Sequence, residues 1–300
     1  VPTSCNMPST AKPILIFVLN HRSGSGKASR MEALATRMLK DKPYEARFIA
    51  LGKPVSTRKE LEAAMASNPA AVIACGGDGT VNLVGKFLKG TGIPMGIIPL
   101  GSGNGLARHL GLPMQPGKAL EQVLRFQART IDTGICGGHF FANIAGLGYD
   151  ARISHAFKDR KKRGLLGYVK TIARNLRLQP EPFQVVETNV TWQGEAWMIC
   201  FANGGQWGNN VALMPGARID DGTINALIFQ PAGPLTVPSI GFRLLTKKVH
   251  RAPSVQVLSG TRFQIAGVKR TAIHVDGEPA GYFKGPLTVE VCPKSLLVLI

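Results

Sequence analysis

The chain has 300 residues, 44% of them hydrophobic and 18% charged, with 36 Lys and Arg against 18 Asp and Glu, a net charge of +18. That length and apolar content build one large domain or two medium ones, which excludes a disordered chain. The charge calls for an acidic partner (nucleic acid, an anionic membrane face or a phosphorylated ligand) and says nothing about fold.

Residues 1–12 read as a loose leader, and a first residue other than Met suggests processing. Residues 14–19 are an apolar run between Pro13 and Asn20, which predicts a buried strand. Met31, Leu34, Ala35 and Met38 give residues 28–39 a helical spacing. A strand over 47–51, a helix over 58–66, a strand over 71–75 and a helix over 81–88 follow. A fourth strand spans 95–99, then come a glycine loop, a helix from about Leu106 and another over 118–127. Such alternation implies a parallel sheet covered on both faces.

Beyond Ile131 short strands dominate, at 131–135, 139–145, 184–192, 195–202, 224–229, 254–258, 262–266, 271–275, 287–291 and 296–300. Helical stretches interrupt them over 151–178 and 235–249. The expected fold class is an α/β N-terminal domain with a parallel sheet and glycine-rich loops, followed by a larger β-rich antiparallel sandwich. A boundary is expected near residue 128. Residues 1–128 would form the first domain, completed by 294–300, and residues 129–293 the second.

The five cysteines are scattered and form no CxxC, so neither a zinc site nor a redox pair is indicated, which suits a reducing cytosol. The histidines lack metal-ligand spacing. No apolar run approaches the ~18 residues of a membrane span. Aromatic residues make up only 7% of the chain and no nucleic-acid-binding module is present, so nucleic acid is not an expected partner.

Three glycine loops each follow a strand of the first domain: "NHRSGSGK" at 20–27, "GGDGTVN" at 76–82 and "PLGSGNGLAR" at 99–108. In an open parallel sheet these gather at the carboxyl edge, where ligands bind, and glycines let main-chain amides approach an anion. Three together argue for a polyphosphate. Neither G-x-x-x-x-G-K-[ST] nor G-x-G-x-x-G fits, because His21, Ala28 and Ser29 stand where glycines or a hydroxyl are needed. Asp78 would repel a phosphate unless a cation lies between them or it takes a proton, unless it merely caps the helix at Val81. In "HVDGEP", at 274–279, strand alternation would put Asp276 and Glu278 on one side of the chain, where two carboxylates can orient a hydroxyl and accept its proton. An acidic hairpin turn is the plainer reading of the same residues.

These motifs, with "NIAGLGYDA" (143–151) and "MPGARIDDGTIN" (214–225), make the chain resemble the diacylglycerol kinase catalytic family, which includes sphingosine and ceramide kinases. The resemblance spans nearly the whole length. It implies an ATP-dependent lipid kinase with ATP between an α/β domain and a lipid-binding β-rich domain, and Mg²⁺ as cofactor. It implies nucleotide contacts from Asn20, Ser23, Gly24, Gly76, Gly77, Asp78, Gly79, Thr80, Asn82, Ser102 and Asn104. Glu278 is the implied proton acceptor with Asp276 beside it, Asp78 joining them as a catalytic acid. Asp221 with the carbonyls of Arg218 and Thr223 is the implied metal site. Where many bacterial diacylglycerol kinases carry Asn-Asp, this chain has Asn104-Gly105. An NAD kinase-like enzyme or a non-catalytic nucleotide and lipid sensor is the alternative.

Two basic, apolar segments, 155–179 and 240–251, can rest on anionic lipid. The expected setting is the cytoplasm, peripheral to a membrane, with a lipid substrate; oligomeric state is not readable from the residues.

Overall fold

The computed structural model describes residues 12–20, 26–52, 54–157, 179–233, 236–267 and 270–300. The first half runs β1 (Ile14–Leu19), α1 (Lys27–Leu39), β2 (Glu45–Ala50), α2 (Pro54–Met65), β3 (Ala71–Gly76), α3 (Asp78–Leu88), β4 (Met95–Pro99), α4 (Gly105–His109) and α5 (Pro116–Val123). The strands lie parallel in the order β2-β1-β3-β4. β1 shows why both faces are covered. Ile16 and Val18 point into a cluster with Leu61 of α2 and Val84 and Leu88 of α3. Leu15, Phe17 and Leu19 point oppositely, against Met31 and Ala35 of α1 and Leu120 of α5. Period-two alternation feeds two apolar layers, so the strand reads as a continuous hydrophobic run.

The second half continues with β5 (Ala128–Cys136), β6 (His139–Phe141), β7 (Ile144–Gly148), α6 (Tyr149–Phe157), β8 (Glu181–Glu187), β9 (Val190–Ala196), β10 (Met198–Ala202), β11 (Gln206–Gly208), β12 (Val211–Ala212) and β13 (Ile224–Phe229). It ends with α7 (Thr236–Leu245), a 3-10 turn (Val249–Arg251), β14 (Val255–Gly260), β15 (Arg262–Gly267), β16 (Thr271–Val275), β17 (Glu278–Phe283) and β18 (Leu287–Leu299). One antiparallel sheet has the order β14-β13-β10-β7-β16-β17. It packs on β8, β9, β15 and the first part of β18 through a core in which the rings of Phe201 and Phe263 are 5.5 Å apart. The α/β half and the antiparallel sandwich match the expected fold class.

Several elements differ from expectation. The helix expected over 151–178 starts at Tyr149 and is seen to Phe157; residues 158–178 lie outside the described residues. The run 184–192 breaks at a turn where Thr188 has φ 41°, making a β8–β9 hairpin. The run 139–145 is interrupted between Phe141 and Ile144. The two strands expected at 287–291 and 296–300 are one strand, β18, whose irregularity between Cys292 and Leu296 hides its continuity. An extra residue or two in one partner bends a strand without ending its ladder.

β18 joins the two halves. Its first part pairs antiparallel with β15, its last part pairs parallel with β4 through Val298 and Met95, and β5 pairs antiparallel with it along both. A single ten-stranded sheet therefore runs through the molecule. Leu296 is buried in the first-half core, whereas the three tryptophans, Trp192, Trp197 and Trp207, belong to the second-half cores. Leu296→Ala should cost about 2–5 kcal/mol. Because the sheet is continuous, tryptophan fluorescence should report that loss as a lower urea midpoint.

Candidate active site

In the order β2-β1-β3-β4, β1 leads to β2 on one side and β3 follows on the other. The crevice at the carboxyl ends of β1 and β3 is therefore the switch point where such sheets take ligands. β3 ends with Gly76, where a Cβ would collide with the Thr80 hydroxyl, so the position has no room for a side chain. α3 begins at Asp78, three residues earlier than expected, with Gly77 as its cap. A Cβ on Gly101 would lie 2.5 Å from the Gly77 Cα, so the second and third glycine loops touch main chain to main chain. Leu100 N–H donates to the Gly76 carbonyl at 2.9 Å. Asn104, left-handed at φ 52°, closes its own loop: its Oδ1 accepts from Gly101 N–H at 3.1 Å and its Nδ2 donates to the Gly101 carbonyl at 2.9 Å. Asn20 Nδ2 reaches the Thr80 hydroxyl at 3.5 Å. Asn20, Gly76, Gly77, Asp78, Gly79, Thr80 and Asn104 thus share one rim, with Ser102 exposed beside them. Ser23 and Gly24 lie outside the described residues.

Asp78 does not point at the rim as a bare charge. Its Oδ2 accepts from Asn104 N–H at 2.9 Å and its Oδ1 from Gly105 N–H at 2.6 Å, so it staples α3 to the start of α4. Burial pushes its carboxyl up to about 6, the Gly105 amide pulls the other way, the Asp276 charge pushes up again, and the Asn104 amide pulls down. The space a side chain at Gly105 would fill is taken by Asn143, whose Nδ2 would stand 2.6 Å from its Cβ.

β16 and β17 form a hairpin around Asp276 and Gly277, at φ 48° and 80°. Two central residues with positive φ make the Asp-Gly turn of a tight hairpin. This corrects the alternation expected for Asp276 and Glu278: they stand across a turn and do different things. Asp276 accepts from Ala142, Asn143 and Ile144 N–H at 2.9, 2.9 and 3.0 Å, and from Asn82 Nδ2 at 2.8 Å. Asn82 also donates to the Phe140 carbonyl at 3.0 Å, so its amide bridges the two halves. Glu278 reaches the rim: its Oε1 would lie 2.8 Å from a Cβ on Gly79. Gly79 is the residue that leaves room for it.

Arg218, Asp221 and Thr223 sit in a surface turn apart from this cluster. Asp221 Oδ1 accepts from the Thr223 N–H and hydroxyl at 3.0 and 2.8 Å. Neighbouring Asp220 pairs with Arg129 at 2.6 Å, and buried Asp132 anchors the turn by accepting from Gly222 N–H at 2.6 Å. Among the described residues no three His, Cys, Asp or Glu groups gather to hold a metal ion. One carboxylate with main-chain carbonyls is a set of hard oxygen donors, which suits Mg²⁺ when water or phosphate completes the shell.

Three features escaped sequence reasoning. Asn143 donates to the Gln206 carbonyl at 2.6 Å while its buried Oδ1, with the side-chain oxygens of Asn203 and Gln206, finds no partner among the described residues. His109 Nδ1 accepts from Gly205 N–H at 3.0 Å, and burial, then the charge of Arg129, pushes its pKa down while Asp220 opposes them. Behind the hairpin, His274 Nε2 meets buried Asp150 at 2.8 Å while its Nδ1 accepts from Gly277 N–H at 3.3 Å. The Asp150–His274 pair sits inside "NIAGLGYDA" and "HVDGEP", but spacing alone carries no sign of contact across 124 residues of chain.

Comparison with known proteins agrees with this architecture. The family described as "Diacylglycerol kinase catalytic domain" matches residues 14–136, and "YegS C-terminal NAD kinase beta sandwich-like domain" matches residues 143–300. "Probable lipid kinase YegS" of Escherichia fergusonii is 30% identical over 275 residues, 89% of this chain and 90% of that protein. "Probable lipid kinase YegS-like" of Citrobacter koseri is 29% identical over 95% of both chains. A crystal structure of a diacylglycerol kinase from Bacillus anthracis str. Sterne superposes with a TM-score of 0.73 at 16% identity, covering 96% of each chain, and a second chain from that organism reaches 0.79 at 19%. Sequence relatives covering nearly the full length, joined to the shared fold, show that this chain belongs to the diacylglycerol kinase catalytic family, in its YegS-like lipid-kinase branch.

Proposed function

We propose that this chain transfers the γ-phosphate of ATP to the hydroxyl of a lipid such as diacylglycerol or a long-chain base. The observation that carries the reading is the Glu278 carboxylate, delivered by the second half onto Gly79 of the glycine rim. A proton acceptor that meets a main-chain anion cradle is the pairing phosphoryl transfer to an alcohol requires. In this reading residues 1–128 with 294–300 hold the nucleotide and residues 129–293 hold the lipid. The N-terminal turn of α3 and the 101–104 loop cradle the polyphosphate, with Thr80, Ser23 and Ser102 as hydroxyl contacts. Positioning and charge neutralisation supply most of the rate.

Asp78 fits this role because its two oxygens are already occupied by the Asn104 and Gly105 amides, so it turns less bare charge toward the phosphates than a free carboxylate would. Asp276 holds the hairpin while Glu278 takes the lipid proton. Mg²⁺ would be held in the 218–223 turn by Asp221 with the Arg218 and Thr223 carbonyls, and Mg²⁺ accompanying the nucleotide near Asp78 would neutralise charge developing on the phosphates. No helix among the described residues is long and apolar enough to cross a membrane. We place the protein at the cytoplasmic membrane face, where an enzyme acting on lipid must meet its substrate.

Radiolabelled ATP with total lipid extract, and separately with NAD, tests the reading: labelled lipid is expected, and label on NAD alone would overturn it. Glu278→Gln should lower kcat by about 10²–10⁴-fold with nucleotide binding retained. Asp78 adds a pH signature. A pKa raised from 3.8 to about 6 means its contribution is fully present below 3.8 and is lost as pH rises through about 6. Between about pH 4.5 and about pH 7.5 the wild type should therefore lose about 2 kcal/mol relative to Asp78→Asn, read from urea midpoints.

A further inference from the structure

We propose that α7 is the element that docks this protein on an anionic bilayer, an inference that rests on the lipid-kinase reading. Residues 236–251 carry Arg243, Lys247, Lys248, His250 and Arg251 and not one Asp or Glu. One face of α7 belongs to the fold: Thr236 and Ile240 are buried, Ile240 in the cluster on the outer face of the second sheet. The other face stands in water. Phe242 is 68% exposed and Leu245 77%, and their spacing of three puts them side by side. Among the described residues the other exposed large hydrophobics, Val190 and Tyr282, lie on separate strands. Lys247, Lys248 and Arg251 are exposed just beyond this pair.

Charge complementarity selects the occupant. A nucleic acid would use the cations, but its phosphate surface offers nothing to Phe242 and Leu245. An anionic bilayer uses both, seating apolar side chains below the headgroups and cations among them. The position suits the reading as well. α7 packs on β12, β12 pairs with β11, and just after β11 Asn209 N–H donates to the Gly103 carbonyl at 3.0 Å. One short hairpin thus separates the docking face from the glycine rim.

The test is co-sedimentation of the full chain with phosphatidylglycerol-containing and pure phosphatidylcholine vesicles, with melting curves as a folding control. Lys247 is left intact because its backbone is left-handed at φ 57°. Phe242→Ala/Leu245→Ala should weaken binding to the anionic vesicles at least about tenfold. Lys248→Glu/Arg251→Glu should weaken it at least about 25-fold, about fivefold per cation removed. Both variants should melt like wild type and keep their turnover on detergent-dispersed lipid. Wild-type affinity in both variants would overturn the docking role and leave the kinase reading standing, as would duplex RNA displacing the protein from vesicles. Vesicle binding that depends on α7 in a wild type with no lipid turnover would support docking and sink the kinase reading instead.

Discussion

The carboxylate of Asp276 takes four donors from two distant segments of chain, and the geometry of the site follows from it. Three are successive main-chain amides of residues 142–144, which enter β7, and the fourth is the Asn82 amide on α3. A carboxylate so surrounded is a fixed point, because removing it would orphan three partly buried N–H groups at once. Since Asp276 is also the first residue of the β16–β17 turn, the same fixed point sets where Glu278 emerges. His274 holds the turn from behind, through Gly277 N–H and Asp150. Glu278 is therefore positioned by a network centred on Asp276, with Asn82 and His274 as its partners.

The rim is built on an opposite economy. Its floor is main chain, with side chains removed where backbones meet at Gly77 and Gly101. Its one acid, Asp78, is spent on the amides of Asn104 and Gly105. Fixed dipoles aimed at an anion need no reorganisation when the anion arrives, which is the source of their catalytic strength. Asn143 occupies the room beside Gly105 with a neutral amide.

Most of the fold was legible in the residues, and the misses have physical causes. Strands such as β1 and β13 declare themselves because both faces are covered and the apolar run is unbroken. β18 was misread as two strands because Pro293, Lys294 and Ser295 carry a strand-breaking composition, whereas the ladder with β5 resumes beyond them. Lys294 N–H finds buried Asp132, and the Ser295 hydroxyl meets that of Thr133, which compensates the local defect with distant partners. The glycine loops pointed to the rim because glycine marks close approach. The different duties of Asp276 and Glu278 were not legible, since alternation assumes an extended chain and a left-handed Asp-Gly pair ends it. Nor could sequence say that Asn82 would face Asp276, because α3 and the hairpin are far apart along the chain.

The continuous sheet constrains how such a crevice can work. Both β5 and β18 pass from one half to the other, and their ladder runs from Val289 with Cys136 to Cys292 with Thr133 and resumes from Leu296 with Ile131 to Leu299 with Ala128. Breaking that many main-chain hydrogen bonds together is far costlier than moving surface loops. Two paired crossing strands thus tie the Glu278 hairpin and the glycine rim into one framework. In the lipid-kinase reading proposed above, the orientation of that framework at a bilayer surface would decide how a lipid hydroxyl reaches Glu278. The exposed face of α7, joined to the rim through β11 and β12, is placed where it can set that orientation.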